Sequence, residues 1–523
     1  MYLLKNLTVY DGTGGKPFPS DILVADEGIA IIKDKLSVPD AEVIDCKGMA
    51  AAPGFIDVHS HSEYSLLAEP SAPSKLMQGI TTDISGNCGM SPAPMLGAAA
   101  QHRKHELAEL GLELSWTDFE GYFERLEEVG PAINFASFCG HGNIRASVMG
   151  YADRGPTHEE MLAMERLLQD AMEAGAFGLS TGLIYPPGVY AKTGEIVRLA
   201  SRAARYGGIY TSHMRSEGAG VVEAIEETIR VGYEAVIPVQ ISHLKTGGPA
   251  NWHKVDAVVA AIESARKDGV DVTADRYPYT ASGTDLDAIL PSWAYEGGHA
   301  EEMKRLRDPD TRARLRAEIL AQHPDAEYWE RVMVSSVVTD KNRHIEGKLI
   351  SDVARQRVQE PVDALFEVLI EEEVRAQAIY FSMSDDNLRT FLKQPWLMIG
   401  SDSTARSHEG VTRQGKPHPR GFGSFPRVLK KFVREDGVLT MQEAIRKMSG
   451  MAADRLGLHG RGYIKRGKYA DIVVFDPETV GDEATFEDPY RYPSGIRHVF
   501  VNGVPAVRDG ALTGKRSGMV IRH

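Results

Sequence analysis

The chain of 523 residues is 42% hydrophobic and 25% charged, the balance of a globular protein and not of a disordered or fibrous one. Its 59 basic residues stand against 73 acidic ones, and the net charge of −14 argues against nucleic acid or any other polyanion as partner. Three cysteines are too few for a disulfide framework, and no secretion signal or bilayer-spanning apolar run occurs, so the expected setting is cytoplasmic with no membrane partner.

Short β-like runs at 7–10, 21–24 and 29–32 are separated by turn residues such as Asp11-Gly12-Thr13-Gly14-Gly15, which predicts a small antiparallel sheet. The far end has the same character, with runs at 470–475 and 498–505 and an Asn502-Gly503 pair that signals a hairpin. Two β-rich ends around a different middle predict one small domain built from both termini, residues 1–53 and 459–523. Between them, over 54–458, strands alternate with amphipathic helices, the pattern of a parallel α/β domain. Nine candidate strands, 54–59, 80–86, 134–140, 176–180, 208–213, 236–243, 270–275, 378–382 and 396–401, compete for the eight places of a barrel. Thr117 with Glu120, Thr157 with Glu160 and Thr440 with Glu443 read as capping boxes that open helices. From about 285 to 377 the rhythm breaks in a charged stretch too long for a simple connection, which predicts an insertion at the catalytic end of the barrel.

Candidate chemistry begins at Gly54-Phe55-Ile56-Asp57-Val58-His59-Ser60-His61. Period-two alternation at a strand end points His59 and His61 the same way, and two neutral imidazoles side by side suit a divalent transition metal. Later strand ends finish in further ligand types: Cys88, His213 in Ser212-His213-Met214-Arg215, His243 in Ile241-Ser242-His243-Leu244-Lys245, and Asp402 in Gly400-Ser401-Asp402-Ser403. In a parallel barrel the C-terminal strand ends meet at one mouth, so ligands scattered in sequence become neighbours. Cys46 and Cys139 are read as buried core residues, and His141, in Gly140-His141-Gly142-Asn143, as a hydrogen-bonding residue near the mouth.

The order His-x-His, His, His, Asp on successive strands resembles the amidohydrolase superfamily, and the resemblance covers essentially the whole chain. More specifically, Gly86-Asn87-Cys88-Gly89, Gly178-Leu179-Ser180-Thr181-Gly182-Leu183, Ser212-His213-Met214-Arg215, Tyr277-Pro278-Tyr279 and Pro417-His418-Pro419-Arg420 resemble the N-acyl-D-amino-acid deacylases, or D-aminoacylases. The resemblance implies an α/β fold, a (β/α)8 metal-dependent hydrolase barrel with a small β-sandwich domain formed from both chain termini. It implies one tight zinc (Zn2+) on Cys88, His213 and His243, and a weaker second site on His59 and His61 with Cys88 bridging. It also makes Arg420, helped by Lys245 and Tyr277, the grip on the α-carboxylate of a small-molecule N-acyl amino acid substrate. No oligomeric state is implied. The stretch 404–416 looks longer than in D-aminoacylases, which bears on the reach of Arg420.

Hydantoinase-like and dihydroorotase-like members of the superfamily bridge two metals with a carbamylated lysine on the fourth strand, but 177–182 holds no lysine, the nearest being Lys192. The Cys88 thiolate can supply the missing anion. Zinc in such a site polarises the scissile carbonyl and brings the pKa of its water to roughly 7, while Asp402, as general base, passes the proton to the leaving amine. The expected reaction is hydrolysis of N-acyl-D-amino acids to a carboxylic acid and a D-amino acid. Another amide hydrolase of the superfamily, acting on a dipeptide or a cyclic amide, and a non-catalytic structural relative stay as alternatives. In the insertion, Trp293, Tyr295, Tyr328 and Trp329 are pocket candidates that favour apolar D side chains. The basic cluster Lys304, Arg305, Arg307, Arg312, Arg314 and Arg316, at helical spacing among acidic neighbours, reads as a solvated face.

Overall fold

The computed structural model describes residues 1–523. Eight parallel strands form the barrel: Phe55–Asp57, Ile80–Ser85, Asn134–Ser137, Gly178–Gly182, Ile209–His213, Val239–Ile241, Val272–Arg276 and Leu397–Ile399. The third resumes beyond Phe138 as Cys139–Gly140, which pairs with the fourth and so joins the two halves of the sheet. Every residue in these strands is buried, as strands covered by helices outside and side chains inside must be.

Closure between the first and last strands is short in ladder bonds and rich in charge. A single bridge pairs Ser60 with Ser403. Beneath it the Asp57 carboxylate accepts the Ser401 N–H at 2.7 Å and the ammonium of fully buried Lys75 at 2.7 Å. Lys75 also lies 3.1 Å from Asp83 on the second strand and donates to Ser60 Oγ at 2.8 Å. One lysine therefore staples strands one, two and eight directly under the His-x-His segment. Breaking such a buried pair by removing one partner costs about 3–5 kcal/mol, because the other charge stays in the dry interior.

Both chain ends enter one nine-stranded sheet. Tyr2–Val9 pairs antiparallel with Phe18–Ala25 but parallel with Glu42–Asp45 and Ala50–Pro53, so the N-terminal part is mixed, not purely antiparallel as its short runs suggested. Ile472–Phe475 joins it along Ala50–Pro53, followed by the hairpin of Ile496–Val501 and Val504–Arg508. The hairpin turn places Asn502 and Gly503 at φ of 48° and 78°, the left-handed pair that a tight two-residue turn requires.

The segment that breaks the barrel rhythm forms its own three-stranded antiparallel sheet, from Ser282–Asp285, Val332–Ser336 and Gln377–Tyr380. The candidate strand at 378–382 is part of this sheet and is the ninth that the barrel does not use. Helices on the sheet enclose a core of 26 buried residues. Tyr295 and Trp329 belong to that core, with Trp293 and Tyr328 packed against it, so all four rings serve the insertion's own packing. The basic cluster includes surface ion pairs such as Arg312 with Glu367 and Arg314 with Glu318, as a solvated face would.

Helix starts match the capping pattern in part. Thr157 makes a reciprocal box with Glu160, and Thr440 accepts the Glu443 N–H. The helix Phe119–Val129 is instead capped by Asp118, which accepts from Gly121, because Asp118 and not Thr117 is the last extended residue before it. No helix is long and apolar enough to cross a membrane.

Candidate active site

Several strand ends turn sharply into the mouth. Cys88, His243 and Asp402 have φ of 55°, 36° and 51°, in the left-handed region that costs a residue with a side chain about 1–3 kcal/mol. Three such residues at one barrel mouth mark a site whose geometry is held by its surroundings. The Cys88 turn shows how: Gly86 and Gly89 both sit at φ 75°, and a Cβ on Gly86 would lie 2.1 Å from the Phe138 carbonyl oxygen. Ser180 receives the Gly89 N–H at 3.2 Å and donates to the Gly86 carbonyl, so the fourth strand buttresses the loop.

Two groups of donors share Cys88. In one, Cys88, His213 and His243 offer ligand atoms within 4.8 Å of one another; in the other, His59, His61, Cys88 and Asp402 do the same. The Cys88 sulfur stands 3.3 Å from His59 Nε2 and 3.4 Å from His243 Nε2. Burial pushes the Cys88 thiol up, yet His59 and His243 outweigh it and hold its pKa well below the ordinary thiol value. Burial also lowers the His213 pKa, leaving a neutral imidazole, and neither of its buried nitrogens has a hydrogen-bond partner.

Acids behind these ligands were not singled out from the sequence. Glu217, four residues beyond His213, lies 2.8 Å from His243 Nδ1 and forms an ion pair with Lys245. The Lys245 ammonium also lies 2.8 Å from His243 Nδ1, where it can donate, so Lys245 and Glu217 together hold the ring with its Nε2 facing Cys88. Burial raises the Glu217 pKa, but Lys245, His213 and His243 bring it well below the carboxylate range. Asp275 stands 3.0 Å from His59 Nδ1 and accepts the His243 backbone N–H at 2.8 Å, tying two ligand positions together. Glu217→Gln keeps the shape and loses the charge, so zinc affinity is expected to fall about 10–100-fold in a chelator competition; unchanged affinity would assign Glu217 to Lys245 alone.

On the opposite side, Asp402 Oδ1 lies 3.2 Å from His61 Nε2 and 3.5 Å from His59 Nε2. Its other oxygen is 2.8 Å from Arg420 Nη1, a close charge contact without hydrogen-bond alignment. Burial raises the Asp402 pKa, but Arg420 and His59 hold it well below the usual range, so it is ionised and able to accept a proton. Arg420 stacks 4.6 Å above the Tyr277 ring, and the buried Tyr277 hydroxyl has no partner. The structure thus brings His59, His61, Cys88, His213, His243, Lys245, Tyr277, Asp402 and Arg420 to one mouth. His141 stands apart from both donor groups, 2.9 Å from Glu195, and Cys46 and Cys139 are buried.

The sequence from 42 to 507 matches the model of the amidohydrolase family. The chain belongs to that family. It is 36% identical over 523 residues to a D-aminoacylase of Alcaligenes xylosoxydans xylosoxydans, covering 99% of this chain and 97% of the relative. It is 37% identical over 517 residues to an N-acyl-D-glutamate deacylase of the same organism, covering 98% and 95%. A solved N-acyl-D-glutamate deacylase of Bordetella bronchiseptica, complexed with zinc and a phosphonate inhibitor, superposes with a TM-score of 0.84 at 33% identity, covering 100% of this chain and 99% of that one. For an amidohydrolase the donor set here fits zinc: a thiolate, four imidazoles, and His213 nitrogens that nothing else in the protein satisfies.

Proposed function

We infer that this amidohydrolase cleaves the amide bond of N-acyl-D-amino acids, releasing a carboxylic acid and a D-amino acid. The observation behind the reading is the convergence of a Cys88-centred metal group, an ionised Asp402 and an Arg420–Tyr277 pair in one mouth. Cys88, His213 and His243 would hold the tighter ion, and His59 and His61, sharing Cys88, a weaker one, since a single thiolate serves both groups. Zinc bound there supplies Lewis acidity, polarising the scissile carbonyl and making an attacking water more acidic.

The remaining work falls to the chain. Asp402 takes a proton from the attacking water and returns it to the leaving nitrogen, a transfer that needs an ionised carboxylate beside the ligand cluster. Arg420 presents a planar fork to the substrate α-carboxylate, and the unpartnered Tyr277 hydroxyl beside it adds a donor. His418 positions Arg420: its Nδ1 receives the Arg420 backbone N–H at 3.0 Å while its Nε2 lies 2.9 Å from the Ala281 carbonyl. With Arg420 anchored by Gly283 as well, the loop 404–416 does not pull it from the mouth. A cyclic amide is disfavoured because the fourth strand carries Ser180 and Thr181 where hydantoinase-like enzymes carry the bridging lysine.

A carboxylate clamp fixed relative to the metal ligands leaves one stereochemical place for the side chain. Paired D- and L-N-acetyl amino acids, with amine release as the readout, should differ at least roughly a hundredfold in favour of D. Arg420→Lys should lose roughly tenfold or more of the D rate, because lysine lacks the fork. Equal rates on both enantiomers, or indifference to amidating the carboxylate, would overturn the reading.

A further inference from the structure

We propose that Arg276 supplies the net positive charge of the carboxylate clamp and so makes a free α-carboxylate a requirement of the substrate. The proposal rests on the deacylase reading and adds a specificity-determining residue to it. Arg276 closes the seventh barrel strand, Val272–Arg276, at the end that opens on the mouth, and Tyr277 follows it directly. Its guanidinium lies over the Tyr277 ring at 4.3 Å, Arg420 over the same ring at 4.6 Å, and the Lys245 ammonium at 6.0 Å. Three cations therefore meet around one phenol whose buried hydroxyl has no partner.

Two of the three bring their own anion. Arg420 Nη1 is 2.8 Å from Asp402 Oδ2, and Lys245 pairs with Glu217. Arg276 brings none. It is 1% exposed and pairs with no carboxylate, and its Nε and Nη1 have no hydrogen-bond partner. Only Nη2 is used, donating to the Tyr279 carbonyl at 2.8 Å and touching the Met383 sulfur. Asp275, its neighbour in the chain, leaves the strand on the opposite face and serves His59, Gln240 and His243 there. The cavity that Arg276 shares with Lys245 is lined by eight residues, none of them acidic, and its volume of about 10 Å³ admits a water but not a carboxylate. A water satisfies hydrogen bonds and leaves the charge unbalanced. Burial, then Arg420 and more weakly Arg276, hold the His418 pKa well below the imidazole range, so that ring adds no charge. An unbalanced guanidinium in a dry interior is costly. A substrate carboxylate seated at Arg420 and the Tyr277 hydroxyl offsets it across the ring, and a neutral group in the same place does not.

The test follows acetate release from N-acetyl-D-leucine and from N-acetyl-D-leucinamide, which lacks the negative charge, using zinc-loaded full-length protein. Arg276→Gln should raise KM for the acid at least about tenfold, with kcat within a few-fold, zinc content unchanged and kcat/KM for the amide unmoved. Arg276→Met, also uncharged, should behave as the glutamine variant does and serves in its place if that one does not fold. Arg276→Lys keeps the charge and loses the stacked plane, so it should recover most of the KM for the acid. A KM for the acid that the uncharged variants leave near the parent value, equal losses on acid and amide, or a lysine variant as poor as the glutamine one would overturn the proposal while the deacylase reading stood. A zinc-loaded parent inert toward the N-acetyl derivatives of both D- and L-leucine would bring down both.

Discussion

Cys88→Ala is expected to remove the tight metal and the activity together. Its sulfur lies within 3.4 Å of both His59 and His243, and it is the one residue common to the two donor groups. Alanine would leave the imidazoles without the thiolate that binds the cation and offsets its charge. The other anions nearby are engaged, Asp402 by Arg420 and Glu217 by His243 and Lys245, and Gly178–Gly182 on the fourth strand offers only hydroxyls and backbone. Metal analysis should fall from about one zinc per chain to trace, and hydrolysis to below roughly a thousandth of the parent rate. The fold should survive, since the lost side chain is small and the loop is anchored by Ser180 and the packing of Gly86 against Phe138. A variant that is fully active without metal would falsify the mechanism.

The ligand order was legible in the chain because a strand end is a local pattern, and parallel topology brings such ends to one mouth whatever their separation. His59, Cys88, His213, His243 and Asp402 could each be found that way. What supports them could not. Glu217 and Lys245 are 28 residues apart, and Lys75 and Ser401 are 326 apart, so their pairing exists only once the barrel is closed. Left-handed φ at Cys88 and His243 likewise has no signature in residue type, since neither cysteine nor histidine announces it as glycine does. The strand at 378–382 shows the opposite limit. A short apolar run reads the same in a barrel as in the insertion's sheet, and only its antiparallel partners Ser282–Asp285 and Val332–Ser336 assign it. Aromatic content was equally ambiguous: Tyr295 and Trp329 fill a core that the sequence does not reveal to be separate.

Asp402→Asn is expected to separate chemistry from metal binding. The left-handed backbone at Asp402, φ 51°, decides the choice of variant. Asparagine accepts that conformation as readily as aspartate, whereas alanine would add backbone strain to the loss of the carboxylate. The substitution keeps an oxygen near His61 and His59 and leaves Cys88, His213 and His243 untouched, so zinc content should equal that of the parent. It removes the anion that Arg420 and His59 hold ionised, and an amide cannot carry a proton from water to the leaving nitrogen. Turnover should therefore fall on the order of a hundredfold or more. KM should rise little or fall, because Arg420 loses the carboxylate 2.8 Å away and is left to pair with the substrate's own. That split between kcat and KM marks the proton carrier: loss of zinc would make Asp402 a ligand first, and turnover within a few-fold of the parent would place the base elsewhere.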